Sequence, residues 1–187
     1  MVKDTLTAVV IDDLSATIKV AGILQSGGEQ CTLKGEGSTT LDELRRGPTV
    51  FVCAYDNAWT LRLTNALRIR YTNDADMTHL SIVDSTAPDM RRWMVDRSVQ
   101  MATSNYRDYA IVARFTDAVA GKPTLIAAGI ARGGTIAAGE SLTSPSLLNA
   151  VDERRPSAKT KNVEVVLGAQ IISGEPGTPG IEAAYLG

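Results

Sequence analysis

The sequence predicts an α/β fold of three layers, a mostly parallel sheet with helices on both faces and a C-terminal antiparallel hairpin. Three observations predict it. Short β-branched runs alternate with stretches of helical spacing along the first half of the chain. The runs at 49–54 and 124–128 are apolar without alternation, the pattern of strands buried on both faces. Asp-rich or Gly-rich turns stand where strands run into helices. With 187 residues the chain can form one such core, so a single α/β domain over 1–187 is expected.

The elements follow in order. A strand at 7–11 ends at Asp12 and Asp13, and the next stretch places Leu14, Ile18 and Ala21 on one helical face. Gly27 and Gly28 close that helix. A second strand is expected at 31–34. Thr39 or Thr40, with an acid three residues on, then caps a short helix that Gly47 and Pro48 stop. The strand at 49–54 leads into a helix with Trp59, Leu63 and Leu67 on one side. Short extended segments at 69–71 and 80–84 flank a polar turn. Residues 85–107 are the least regular part, a charged, Trp-containing loop placed to fold over the rest. Strands at 109–115 and 124–128 follow, then a glycine-rich turn and a helix from Ile136. Ser144 and Pro145 start another helix. The runs 163–172 and 181–186 form the closing hairpin, through a loop longer than a tight turn.

Composition narrows the function classes. Hydrophobic residues make up 44% and charged residues 21%, ordinary globular values. Nineteen basic and 21 acidic residues leave a formal charge of −2, without the basic footprint of a nucleic-acid binder. No apolar run approaches the ~20 residues needed to cross a bilayer. The first residues lack the pattern of a signal peptide. A soluble domain that neither inserts into a membrane nor binds nucleic acid is therefore expected. Cys31 and Cys53 read as buried free thiols, since CxxC spacing is absent. The single histidine, His79, has no recognisable nucleophile motif beside it.

In parallel sheets, ligands bind outside the carboxyl ends of the strands. Three turns are expected to converge there. Asp12 and Asp13 form the first. Asp56, Asn57, Trp59 and Thr60 form the second, where capping alone accounts for one of the polar pair. Gly129, Arg132, Gly133, Gly134 and Thr135 form the third, where backbone amides at a helix start suit an anion and Arg132 adds charge. The acidic turns suit a cation or hydroxyl groups. Asp12, Asp13 and Asp56, 44 positions after the first, resemble the Mg²⁺-binding pocket of receiver domains. The chain departs from that pattern. A helix begins directly at Asn57, and Lys122-Pro123 precedes a strand rather than following one.

The segment 47–63, the block from Asp108 to Phe115, and a third block running from Gly121 through Gly134-Thr135 to Glu140 show a broader resemblance. They are similar to the C-terminal α/β domain of a poorly characterised family of bacterial membrane-anchored winged-helix proteins. The resemblance implies a sensor-like domain, extracytoplasmic if this chain is the excised domain of such a protein. The chain departs at Arg132-Gly133, where the family has a proline and an aromatic, and at Gly187, where it has an aromatic.

The leading expectation is a non-enzymatic sensory or small-molecule-binding domain, with no cofactor. The alternatives are a Mg²⁺-dependent phosphoacceptor or enzyme using Asp12, Asp13 and Asp56, and an assembly module forming homo-oligomers through an exposed sheet edge.

Overall fold

The computed structural model describes residues 11–154 and 162–187, with side chains from residue 13 onward. The strand expected at 7–11 falls outside the described residues but for Ile11, which opens helix α1 (Ile11–Ser26). Asp13 thus stands in a helical turn rather than at the end of a strand. Helix α1 buries Ala16 and Val20, whereas Leu14 and Ile18 of the expected face lie exposed. Size decides the face. Ala16 meets Gly139 of helix α5 (Arg132–Ser141) so closely that a Cβ on the glycine would sit 3.0 Å from the alanine Cβ. A wider residue at either position would hold the two helices apart.

Residues 31–34 form no strand. Thr40 and Glu43 make a reciprocal capping box for α2 (Leu41–Leu44). Strand β1 (Thr49–Val52) leads through a turn into α3 (Ala58–Thr64). Next come β2 (Ile69–Asn73), β3 (His79–Asp84) and β4 (Trp93–Asp96), with α4 (Arg97–Ala102) capped by Asp96. The segment expected to be irregular thus holds a strand and a helix. Strands β5 (Tyr106–Thr116) and β6 (Pro123–Gly129) precede α5, and α6 (Pro145–Asp152) starts on the Ser144 cap. Strands β7 (Val163–Ile172), β8 (Glu175–Pro176) and β9 (Gly180–Leu186) complete the chain.

The mostly parallel sheet is not what forms. The larger sheet runs β1-β6-β5-β7-β8, with β9 also on β7, and only β1 and β6 are parallel. A separate antiparallel sheet, β2-β3-β4, covers one of its faces. Helix α5 covers the other. The expectation failed because an uninterrupted apolar run reports burial on both faces, and a second sheet buries a face as well as a helix does. The expected antiparallel pairing of 163–172 with 181–186 forms, as β7 with β9, but the connection differs. Ser173 (φ 53°) and Gly174 (φ 84°) turn β7 tightly into β8, both residues left-handed as in a two-residue hairpin turn.

The main core lies between the two sheets. Ile111, Phe115, Ile126 and Val166 of the large sheet meet Ile69, Ile82 and Trp93 of the small one. Tyr71 of β2 is buried there and reaches across. Its hydroxyl donates to Ala128 O at 2.5 Å and accepts from Ile111 N at 3.3 Å, so it bridges facing positions of β5 and β6. Removing the hydroxyl loses both buried bonds, a cost of about 1–3 kcal/mol. Tyr71→Phe should therefore lower unfolding free energy by that amount in urea titration, and an unchanged midpoint would refute the bridge.

Candidate functional site

Strands β1 and β6 end on the same side of the large sheet, because they run parallel. The structure places two of the three predicted turns around that end, together with the first turn of α1. The amides of the third turn are already occupied. Asp108 of β5, fully buried, accepts from Gly134 N at 2.6 Å, Ala131 N at 3.2 Å and Tyr109 N at 2.8 Å. The start of α5 thus receives an internal carboxylate where the sequence predicted an outside anion, and the same dipole argument accounts for both. Burial pushes the Asp108 carboxyl up to about 6, against the amide bonds that pull it down.

Close packing also accounts for the glycines. A Cβ on Gly129 would overlap Thr135 N and lie 2.7 Å from Ala131 O, and one on Gly134 would lie 2.5 Å from Tyr109 O. Gly133 faces Ile171, whose side chain a Cβ would overlap. The Thr135 hydroxyl accepts from Gly129 N at 3.2 Å. Arg132 points along the surface, donating to Gly174 O at 2.8 Å and pairing with Glu175 at 3.5 Å. It ties α5 to the β7–β8 turn.

In the second turn, Asn57 is the N-cap of α3. Its Oδ1 accepts from Trp59 N and Thr60 N, and its Nδ2 donates to Val52 O at 3.1 Å. Asp56 is exposed. Trp59 packs on the edge of the main core with Arg62 over its ring, and Thr60 is buried with no partner for its hydroxyl among the described residues. Cys53 follows β1 in the left-handed region (φ 72°). Burial pushes its thiol up first, and the neighbouring Asp13 and Asp56 add to that, so the thiolate is disfavoured. Asp13, Cys53 and Asp56 thus share one end of the sheet. The side chain of Asp12 lies outside the described residues, and among those described no group of three His, Cys, Asp or Glu could hold a metal ion. His79 braces the small sheet, its Nδ1 2.6 Å from Asp74. Among the described residues no helix is long and apolar enough to cross a membrane.

A cavity of about 230 Å³ opens elsewhere, where the loop before β4 meets β9. Trp93 and Tyr185 supply aromatic surface, and Ala87 and Met90 supply an apolar rim. The Arg68 guanidinium lies 3.9 Å from the Tyr185 ring and grips Asp84 through Nε (3.1 Å to both oxygens) and Nη2 (2.8 Å). Asp84 also accepts from Thr86 N at 2.9 Å and Thr86 Oγ1 at 2.7 Å. The Arg68 guanidinium and these bonds hold its carboxyl well below the usual carboxylate range. Arg92 lines the same cavity and donates to Met90 Sδ at 3.2 Å. Among the described residues it has no carboxylate within ion-pair distance.

The sequence placed Arg92 and Trp93 on a loop that folds over the rest, but Arg68, Asp84 and Tyr185 come from three strands or strand ends far apart in sequence. Nothing in local spacing joins them. Asp108 carried a signal, a lone acid on the face of β5 that otherwise shows Ala110 and Val112 to the helices. Comparison with protein-family models, curated proteins and solved structures finds nothing that matches this chain.

Proposed function

We propose that this chain is a sensor-like domain that binds a small molecule in the cavity between Trp93 and Tyr185. One observation carries the reading: a recess of about 230 Å³ in which the charged groups of Arg68, Asp84 and Arg92 converge beside Trp93, Tyr185 and Met90. Its volume is below the ~300–1,000 Å³ of drug-sized sites, so it suits a small metabolite. The resemblance of three sequence blocks to domains of membrane-anchored winged-helix proteins supports the sensory part of the reading. The internal capping of α5 by Asp108 weighs against placing an anion at the glycine turn.

A ligand that binds only the folded state stabilises it by about 2.7 kcal/mol at a hundred times its dissociation constant. Thermal unfolding across a panel of small metabolites should therefore yield at least one compound that raises the midpoint. Ala87 lines the cavity at a half-buried loop position, so Ala87→Trp should fill the recess and abolish that shift. A shift that survives the filled cavity would place the ligand elsewhere.

A further inference from the structure

Taking the cavity as the ligand seat, we infer that its ligand is a small organic anion, a carboxylate on an aromatic or short apolar body. The inference rests on that reading and on the valences left open around the recess. Two guanidinium groups, Arg68 and Arg92, face one carboxylate, Asp84, so the lining carries a net positive charge in a chain that is acidic overall. Asp84 has no acceptor capacity to offer a cationic ligand. Both of its oxygens take Arg68, and one takes the amide and hydroxyl of Thr86 as well. The open valences are donors. Arg68 Nη1 has no hydrogen-bond partner among the described residues, and Arg92 spends only Nη2, on a thioether. Thioether sulfur is a weak acceptor, which a carboxylate displaces readily. The apolar body is set by what flanks these donors. Trp93, 7% exposed, lines the recess from the core, and Met90, 53% exposed, supplies an adaptable side chain at the rim.

Charge and shape can be separated with three probes of one skeleton: phenylacetate, phenylacetamide and phenethylamine. Trp93 is one of two tryptophans, so in Trp59→Phe its emission alone reports occupancy. Phenylacetate should perturb that emission and bind at least tenfold more tightly than the amide or the amine. Arg92→Ala should remove the tenfold preference, and Arg91→Ala, one position away, should keep it. Calorimetric titration of the unaltered chain should give the same order of affinities, whatever Trp59→Phe does to folding. Equal or tighter binding of the amide or the amine would overturn the anion inference and leave the cavity as a ligand seat. No binding of any of the three would overturn both.

Discussion

Gly129→Ala is expected to leave no stably folded protein. The new Cβ would overlap the backbone at Gly134 and Thr135 and sit 2.7 Å from Ala131 O. These are main-chain atoms, which cannot rotate away as the end of a side chain can. They are also tied on the far side. Asp108 holds Ala131 N and Gly134 N, and Ile130 N donates to Tyr109 O at 2.7 Å. To relieve the overlap, α5 must lift from β5 and β6 and break this set of bonds in the interior. Losses above about 4 kcal/mol are the exceptional class of substitution, and a domain of ordinary stability holds only about 5–15 kcal/mol. Urea titration or circular dichroism would read the loss. Gly22→Ala is the control. Gly22 lies within α1 with open space around it, so alanine there should be neutral or stabilising by up to about 1 kcal/mol. A Gly129→Ala protein within 1 kcal/mol of the parent would refute the packing described here.

Asp108→Asn should destabilise the fold less than that, and should change how stability depends on pH. Both carboxylate oxygens accept from backbone amides, Oδ1 from Tyr109 N and Ala131 N, Oδ2 from Gly134 N. An asparagine amide must set its NH₂ against one of these donors, whichever way it is turned. That leaves buried donors facing each other, a loss of about 1–3 kcal/mol. The folded carboxyl titrates at about 6, above the ordinary 3.8 it has when unfolded. Between these values the folded state binds the extra proton, so stability falls as pH rises. The parent should thus lose on the order of 3 kcal/mol of stability from this group between pH 4 and pH 7, at about 1.36 kcal/mol per unit. Asp84 works the other way: its lowered carboxyl contributes stability that is lost only below the usual carboxylate range. Unfolding free energies at pH 4.5 and pH 7 should differ less in Asp108→Asn than in the parent. An undiminished difference would mean that another group titrates.

How much of this was legible in the sequence depends on the distance over which each decision is made. The Thr40–Glu43 box, the Asn57 cap and the Ser144-Pro145 helix start are settled within four residues, and the structure picks Thr40 from the pair 39–40 and Asn57 from the pair 56–57. The runs at 49–52 and 123–129 form strands, because β-branched and apolar residues fit a buried pleated surface whatever its direction. Helix α5 starts at Arg132 rather than Ile136, since Asp108, 26 positions before Gly134, satisfies amides that a local reading leaves open. In α1 the larger apolar face was expected inward, yet the side that meets Gly139 is inside.

Local chemistry alone therefore determined where the chain caps, turns and extends, because a hydrogen bond to a neighbouring amide does not depend on the rest of the fold. Tertiary structure alone decided strand direction, the identity of the covering layer and the assembly of Arg68, Asp84, Arg92, Trp93 and Tyr185 around one cavity. Burial is indifferent to direction, and a sheet and a helix exclude water from an apolar strand equally well. The same glycine turn that the sequence offered to an outside anion was closed by the protein's own Asp108, because the long-range pairing of β5 with β6 brings that carboxylate to the start of α5.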